Sequence, residues 1–403
     1  MYKINRARKS ILNKWDWNNP ENNINLFIHG AIGIGKTWII QQVVAERILY
    51  DKKNALQQAN EKENEKISND ILRLENFKKP SEIQDLLDEH LLVLRLSELS
   101  IESIQGIPCP FEEKTALFLM PENFVRFSKK NWIVIFLDEL DKADENIIKA
   151  ITHLIESRKI GSFSFQKDVM IISALNRVTD SWLSRPMPPE LKNRAAHIEV
   201  IPDLQSWIEW AIPNGIRKDI IAFLLYSEKA GKNWLAVYDN EAEANSTSGF
   251  PTPRSWHMAS NQMNKLEKSK ATYEEMIDEL SEFVGVAAAN EFKFYYELYH
   301  KINIFKILNG EKRIPKLLID NLFNKSILSE QYIYAFAFIN QITADILQDI
   351  KHKTNFIIAI QDMLPELQSL LMKFILTNDD ITAIVSSTED GMKLISSHID
   401  NFN

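Results

Sequence analysis

The sequence predicts an α/β fold, in which a parallel five-stranded sheet is covered by helices and is followed by a region of helices alone. Short apolar segments alternate with amphipathic ones through the first half of the 403 residues. A glycine-rich loop joins the first apolar segment to a helix, and from Pro202 onwards the pattern is mostly helical. Strands that alternate with helices imply right-handed crossovers and a sheet with helices on both faces.

Five apolar runs are the predicted strands. They are INLFIH (24–29), LLVLRL (91–96), WIVIFL (132–137), VMIISAL (169–175) and HIEVI (197–201). Such continuous runs are typical of strands buried on both faces of a parallel sheet. The stretch IQGIPCPF between the second and third runs is rich in Pro and Gly, which predicts irregular structure.

Helical spacing of apolar residues predicts helices in TWIIQQVVAERIL (37–49) and NIIKAITHLIES (146–157). Residues 51–79 are strongly hydrophilic, with EKENEK at their centre. They fit an exposed helical extension or hairpin, and equally a solvated, partly disordered insert.

The second half predicts helices at 207–212, 219–226 and 273–299 and a mostly helical chain from Phe305 onwards. The run NSTSGFPTP (245–253) predicts an interdomain loop. These shifts divide the chain into an N-terminal segment at 1–23, an α/β core at 24–201, a helical domain at 202–304 and a C-terminal helical region at 305–403.

Composition limits the function. The net charge of -8 argues against broad non-specific binding of nucleic acid. The single cysteine, Cys109, allows no disulfide within the chain and is expected to be a packing residue. No apolar run approaches the ~20 residues of a membrane span. The basic N-terminus precedes polar residues instead of an apolar segment, which predicts a cytoplasmic protein.

The loop GAIGIGKT, Gly30 to Thr37, matches the phosphate-loop pattern G-x-x-x-x-G-K-[ST] and lies between a predicted strand and a predicted helix. Its backbone amides can hold phosphates, Lys36 can reach the β- and γ-phosphates, and Thr37 can offer its hydroxyl to Mg²⁺. The predicted nucleotide-binding residues are Gly30, Ala31, Ile32, Gly33, Ile34, Gly35, Lys36, Thr37, Trp38 and Asp138. A glycine-rich turn without a ligand is the alternative.

Two further strands end in polar residues that suit hydrolysis. IVIFLDE places Asp138 where it can complete a Mg²⁺ shell and Glu139 where it can activate water. Asn176 ends the fourth strand and can position that water, although an Asn that only makes a turn also fits. NRVTD does not match a guanine-reading NKxD pattern, which favours ATP over GTP. The eight histidines show no ligand spacing, so no metal beyond nucleotide-bound Mg²⁺ is expected.

Five motifs occur in one order: GAIGIGKT, FLDELDKAD, IGSFSFQKDVMIISALNRVTD, RPMPPELKNR and FPTPRSW. Over about residues 24–300 this set resembles the MoxR-like branch of the AAA+ ATPases. The resemblance implies a P-loop core with a helical lid and an ATP hydrolase that uses Mg²⁺. It also implies a Walker A motif at Gly30 to Thr37, a Walker B motif at Asp138 and Glu139, and a sensor-1 residue at Asn176.

The resemblance further implies arginines that stabilise the transferred phosphoryl group. Arg194 is the candidate arginine finger, although Ala195 follows it where the family has an aromatic residue. Arg185 competes for that role, and Arg254 resembles the sensor-2 arginine of the lid. An ordinary surface arginine is the alternative for each.

Two elements of the family face the pore of a ring, a hairpin that corresponds to about 159–167 and an insertion that corresponds to about 97–126. Lys159, Lys167, Phe163 and Phe165 could therefore grip a partner chain. An ordinary hairpin with Phe163 and Phe165 on a buried face is the alternative.

The resemblance implies a ring homo-oligomer, expected to be a hexamer, that hydrolyses ATP between subunits. It would remodel, activate or assemble a partner protein in a chaperone-like way, with a von Willebrand factor A domain protein as a possible partner. A ring-shaped nucleic-acid motor and a non-hydrolysing, nucleotide-gated scaffold are the alternatives.

Overall fold

The computed structural model describes residues 3–58, 61–112, 115–160, 163–165, 168–177, 186–229, 231–237, 249–300, 302–314 and 325–399. Among these residues the chain forms two compact units, one up to Ser206 and one from Trp207 onwards. The four-part division drawn from the sequence stays a prediction.

The first unit contains the predicted α/β core. Its helices and strands are α1 Ile4–Leu12, β1 Leu26–His29, α2 Lys36–Leu56, α3 Glu61–Asn76, α4 Gln84–Leu87, β2 Leu91–Arg95, α5 Ile101–Gln105, β3 Ile107–Glu112, β4 Thr115–Leu119, α6 Glu122–Ser128, β5 Trp132–Asp138, α7 Glu145–Ser157, β6 Lys159–Ile160, β7 Phe163–Ser164, β8 Asp168–Leu175, α8 Pro189–Lys192, β9 Ala196–Glu199 and α9 Leu204–Ala211, which continues into the second unit.

Five parallel strands form one sheet in the order β2-β5-β8-β1-β9. All five predicted strands are therefore confirmed. In the sheet β1 lies between β8 and β9, with Leu26 opposite Ile172 on one side and Ala196 on the other. Because the strands are parallel, all five carboxyl ends lie along the same edge of the sheet.

Successive side chains of each strand point to opposite faces of the sheet, so the strands contribute to a hydrophobic core on each face. In β5, Val134 and Phe136 pack with α1 and α2, whereas Ile135 and Leu137 pack with α6 and α7. Burial on both faces explains why the strands read as unbroken apolar runs and not as alternating ones.

The hydrophilic segment 51–79 is a helical hairpin in its described part, because α2 continues to Leu56 and α3 packs against it. Its polar sequence still supplies tertiary contacts. Leu74 is buried, and Asp70, also buried, accepts a hydrogen bond from Lys52 at 2.6 Å. The prediction of a helical extension or hairpin is confirmed.

The prediction of irregular structure for IQGIPCPF is wrong. This stretch ends α5 and forms most of β3, which pairs with β4 as an antiparallel hairpin. Pro108 and Pro110 are alternate residues of β3, opposite Phe118 and Ala116. A two-stranded hairpin consists of edge strands only, and an edge strand tolerates proline because its outer N–H groups need no partner. Cys109 lies between these prolines and is partly exposed.

The second predicted hairpin is confirmed as the pair β6 and β7. Phe165 is buried, and Phe163 is half-buried at 5.2 Å from it between ring centroids. Phe124 of α6 packs against both rings. The alternative of a buried apolar face is therefore correct for the two phenylalanines, and Lys159 is exposed. Lys167 lies outside the described residues.

The amino ends of β5 and β8 carry an aromatic cluster around one cation, which we call the Arg47 cluster. The guanidinium of Arg47 lies 5.7 Å from the ring of Trp15, 4.9 Å from Trp17 and 5.5 Å from Trp132. It also forms ion pairs with Asp51 at 3.4 Å and Asp168 at 3.7 Å. Arg47 is 7% exposed, so this cation is almost fully buried.

The second unit is helical in its described part, as predicted. After α9 its helices are α10 Lys218–Lys229, α11 Pro253–Lys268, α12 Tyr273–His300 with a kink at Gly285, α13 Phe305–Leu308, α14 Lys325–Gln341, α15 Ala344–Leu347, α16 Ile350–Gln361, α17 Pro365–Leu376, α18 Asp379–Ser386 and α19 Glu389–Ile399.

Trp256 is fully buried in the second unit, where Phe223 lies 5.7 Å from it between ring centroids. Its indole N–H donates to the carbonyl of Trp234 at 2.7 Å. Trp207 is also buried. Both are therefore packing residues. Within the part of the chain that the structure describes, no helix combines the length and apolar content needed to cross a bilayer.

Candidate functional site

The carboxyl edge of the sheet brings together the predicted site residues that follow β1, β5 and β8. The phosphate-loop motif follows β1, Asn176 follows β8, and Asp138 ends β5 with Glu139 next to it. These strands are neighbours in the sheet order. Ligands of open α/β sheets bind outside the carboxyl ends of the strands, so this edge is the candidate functional site.

The loop itself depends on glycine at defined positions. A Cβ on Gly30 would lie 2.6 Å from Ile34 Cδ1 and 2.8 Å from the carbonyl oxygen of Val200, so no side chain fits there. Gly35 precedes α2 with φ +94°, a conformation that L side chains rarely adopt. The loop is therefore a compact turn that leads directly into the positive end of a 21-residue helix.

Lys36 is the first residue of α2, and its ammonium folds back over the loop. Its Nζ donates to the carbonyl oxygens of Gly30 at 2.6 Å and Ala31 at 3.0 Å, and to Oδ1 of Asn176 at 3.0 Å. The lysine thus connects the loop after β1 with the end of β8.

Thr37 and Trp38 follow in the first turn of α2 and are both half-buried. Trp38 packs against Phe77, with 5.7 Å between ring centroids. This contact connects the start of α2 to the chain after α3. The roles of both residues toward a nucleotide stay predictions.

Asp138 is partly buried at the end of β5, and burial raises the pKa of its carboxyl group. The backbone N–H of Glu139, which donates to its Oδ1 at 3.0 Å, and the charges of Lys36 and Arg95 act in the opposite direction. Asp138 ends the strand next to β8, and Lys36 is hydrogen-bonded to Asn176 just past β8.

Glu139 has a left-handed backbone, with φ +56° and ψ +39°. This conformation is uncommon for a side chain longer than Asn and turns the chain sharply between β5 and the following 3₁₀ turn, Leu140–Lys142. Strained residues of this kind concentrate at functional sites.

Two donors hold the carboxylate of Glu139. The ammonium of Lys142 donates to Oε1 at 2.7 Å, and the hydroxyl of Ser97, just past β2, donates to Oε2. Burial raises the pKa of Glu139, but these two hydrogen bonds and the charges of Lys142 and Arg95 together outweigh burial, so the pKa is lowered on balance. The carboxylate is therefore ionised near neutral pH, as a base must be.

Asn176 is in contact with a carboxylate that the sequence analysis did not single out. Asp141 accepts the backbone N–H of Asn176 at 3.1 Å and its side-chain N–H at 3.2 Å. In the sequence, Asp141 is the third acid of FLDELD, and this acid could have indicated the contact. The 3₁₀ turn brings Asp141 back toward the sheet edge. Asp141 is 5% exposed.

A histidine pair beside the loop was also not predicted. His29, which precedes Gly30, and His197 of β9 have ring nitrogens Nε2 and Nδ1 2.8 Å apart. The Nε2 of His197 lies 2.9 Å from the carbonyl oxygen of Lys192, so it must donate, and in the neutral ring Nδ1 of His197 then accepts from His29. Burial lowers the pKa of His29, and the charges of His197 and Lys36 lower it further.

The three candidate arginines have different outcomes. Arg194, just after α8, forms an ion pair with Glu156 and donates to the carbonyl of Glu190 at 2.8 Å. Arg254 is exposed near the start of α11 in the second unit, where Thr252 and Ser255 form a capping box. Arg185 lies outside the described residues. The catalytic roles of all three stay predictions.

The residues present fit a magnesium nucleotide. Gly30 and Gly35 leave a loop without side-chain obstruction, Lys36 supplies a donor, and Asp138 and Thr37 supply oxygen atoms of the kind that Mg²⁺ prefers. Among the described residues, His, Cys, Asp and Glu form no group of three that could hold a metal ion by themselves.

No protein-family model and no curated protein matches this chain. Among solved structures, a RuvB variant of Thermotoga maritima is similar over 76% of this chain and 83% of its own, with 13% identity and a TM-score of 0.33. An Hsp104 complex with ATPγS and FITC-casein is similar over 53% of this chain and 34% of its own, with 15% identity and a TM-score of 0.30. Likeness this weak carries no functional conclusion.

Proposed function

We propose that this chain is an AAA+ ATPase which binds ATP at the carboxyl edge of its sheet and hydrolyses it. The observation that carries the proposal is the meeting of Lys36 and Asn176, joined by a 3.0 Å hydrogen bond, next to Asp138 and Glu139. A phosphate-binding lysine, a metal-binding carboxylate, a base and a polar orienting residue are the parts that hydrolysis of a phosphoanhydride needs.

Each residue has a defined task. The amides after Gly30 and the ammonium of Lys36 would hold the phosphates, and Thr37 and Asp138 would hold Mg²⁺, which neutralises phosphate charge when bound. Glu139 would accept a proton from water while the water oxygen attacks the γ-phosphorus and ADP leaves. Before it can do so, its carboxylate must exchange at least one of its bonds to Ser97 and Lys142 for a bond to water.

Within the AAA+ ATPases, the order of motifs supports a MoxR-like protein that acts as a ring and remodels or assembles a partner protein. The net charge of -8 favours a protein partner over nucleic acid. Arg194 is the candidate finger that one subunit would offer to its neighbour. Its partner in this chain, Glu156, is partly exposed, so the ion pair can be given up for a phosphate at low cost.

The decisive variant is Glu139→Gln. It removes the base but keeps the shape of the side chain, so kcat should fall by about 10²- to 10⁴-fold while ATP affinity is retained. Steady-state phosphate release and binding of a fluorescent ATP analogue measure the two effects. Glu145→Gln is the matched control, because Glu145 is an exposed acid at the start of α7.

A parental rate in Glu139→Gln would refute the assignment of the base, and absence of ATP binding by the parent would refute the proposed function. The same assay with duplex DNA tests the competing hypothesis. Turnover that DNA stimulates, with a steep loss of DNA affinity as salt rises, would favour a nucleic-acid motor.

A further inference from the structure

The side chain of Asn176 lies between two groups of opposite charge. Its Nδ2 donates to Oδ2 of Asp141 at 3.2 Å, and its Oδ1 accepts from Nζ of Lys36 at 3.0 Å. Its backbone N–H also donates to Asp141, at 3.1 Å. Asp141 therefore holds both the backbone and the side chain of this residue.

Hydrogen-bond chemistry permits one orientation of this amide. An ionised carboxylate only accepts and an ammonium only donates, so the NH2 group must face Asp141 and the oxygen must face Lys36. If the amide were turned over, its oxygen would face the carboxylate of Asp141 and its NH2 group would face the ammonium of Lys36. Both contacts would then be repulsive, and the hydrogen bonds would be lost in a place where water is scarce.

Asp141 is held firmly enough to impose this orientation. It is 5% exposed and lies in the 3₁₀ turn that follows the strained residue Glu139, so its position is set by the end of β5. Asn176 is set by the end of β8. These two strands are hydrogen-bonded neighbours, as the pairing of Leu137 with Ser173 shows.

We propose that Asp141 is a positioning residue that fixes the amide of Asn176 so that its oxygen, and not its NH2 group, faces the phosphate loop. The inference rests on the proposed ATPase function. When the ammonium of Lys36 moves from Oδ1 to a phosphate, the oxygen of Asn176 becomes available to accept an O–H of the attacking water. Asn176 thus acts as a hydrogen-bond acceptor in the reaction.

A double-mutant cycle at 141 and 176 tests this assignment. In Asp141→Asn the oxygen of residue 141 can keep the backbone N–H of Asn176, and its new NH2 group then opposes the NH2 group of Asn176. The present orientation of the Asn176 amide is therefore no longer enforced. We expect kcat to fall by about 10- to 100-fold, as is typical when a supporting partner is removed, with ATP affinity within about 3-fold, since the loop and Lys36 are intact.

In the Asn176→Asp background the same change should have the opposite sign. Asn176→Asp alone sets two carboxylates against each other. Adding Asp141→Asn replaces this repulsion with a hydrogen bond and leaves a carboxylate oxygen facing Lys36, so kcat should rise above that of Asn176→Asp. Comparing the two backgrounds removes the cost of placing a charge near the phosphates, because residue 176 is the same in each pair.

Asp144→Asn is the matched control. Asp144 caps α7 by accepting from the backbone N–H groups of Asn146 and Ile147, and Asn caps a helix as well as Asp does. Its kcat should equal that of the parent. Melting temperatures of all variants are measured in parallel, since a purely structural role would make loss of kcat follow loss of stability.

The inference is overturned if Asp141→Asn keeps the parental kcat or changes kcat by the same factor in both backgrounds. A parent without turnover would instead refute the proposed function. In that case the contact between Asp141 and Asn176 is tested by the melting temperatures, without nucleotide, of the parent, the two single variants and the double variant. Asp141→Asn should lower the melting temperature of the parent and raise that of Asn176→Asp, and the inference is overturned if both changes have the same sign.

Discussion

The two ends of the central sheet each hold a cation, buried at the amino end and half-buried at the carboxyl end, but they hold it differently. At the amino ends of β5 and β8, Arg47 is enclosed by Trp15, Trp17 and Trp132 and paired with Asp168. At the carboxyl ends, Lys36 is held by two backbone carbonyls and one amide oxygen. Indole rings and a buried carboxylate cannot be exchanged for a ligand, whereas phosphate oxygens can replace carbonyls. Burial of a charge therefore does not mark a binding site; replaceable partners do.

The largest effect is expected from a substitution at the amino end of the sheet. Arg47→Met should lower the free energy of unfolding by about 3–5 kcal/mol, because it leaves Asp168 buried without its cation. ATP affinity of the protein that remains folded should not change. Denaturant titration and analogue binding measure these quantities.

Lys53→Met is the matched control for Arg47→Met. It removes an exposed cation of the same helix, paired with Glu75, and should cost less than about 1 kcal/mol. Equal effects of the two substitutions would contradict the structural role of the Arg47 cluster.

The second largest effect is expected from a substitution at the carboxyl end of the sheet. There ATP binding should weaken while stability hardly changes. Lys36→Ala should weaken ATP binding by about 10- to 100-fold, which corresponds to the ~1.5–3 kcal/mol of a hydrogen bond to a charged group. The free energy of unfolding should change by less than about 1 kcal/mol, because water can solvate the carbonyls of Gly30 and Ala31. Calorimetric titration and denaturant titration check both parts. A large loss of stability with intact ATP binding would reverse the comparison.

The smallest expected effect is the pH dependence of the free energy of unfolding that His29, at the carboxyl end of the sheet, contributes. The folded-state pKa of His29 lies below its unfolded value of 6.5, chiefly because of burial. The unfolded chain therefore binds this proton more tightly. The stabilisation is complete above pH 6.5 and is lost as the pH falls through the folded pKa.

We expect the free energy of unfolding to decline below pH 6.5, and His29→Asn to make this part of the profile flatter. Denaturant titrations between pH 5 and 8 measure it. His153→Asn, which alters an exposed histidine of α7, is the control. A profile that is unchanged by His29→Asn but altered by His153→Asn would contradict this prediction.

The sequence predicted the sheet well, because burial on both faces imposes short, largely apolar runs, and in the first half of the chain these alternate with amphipathic helical segments. It predicted the loop through Gly30 and Lys36 for a similar reason, since steric and chemical demands there leave few residue choices. It failed on β3, because prolines usually indicate loops and only the edge position makes Pro108 and Pro110 compatible with a strand.

The supporting residues of the site were beyond sequence reasoning. Each supporting residue lies far along the chain from the residue that it contacts, and no sequence pattern links the two. The pairs are Ser97 with Glu139, Asp141 with Asn176, and His197 with His29. Only the order and register of the strands bring each pair together. The amide orientation of Asn176 likewise depends on two neighbours from different strands, which no local motif encodes.

The left-handed backbone of Glu139 sets a trade-off between stability and activity. Glycine would adopt this conformation without the ~1–2 kcal/mol that an L side chain costs there, so Glu139→Gly should relieve local strain even as it removes the carboxylate. A screen for thermostability alone would therefore tend to select against the residue proposed as the base. The proposed base thus occupies a turn that glycine would make more stable.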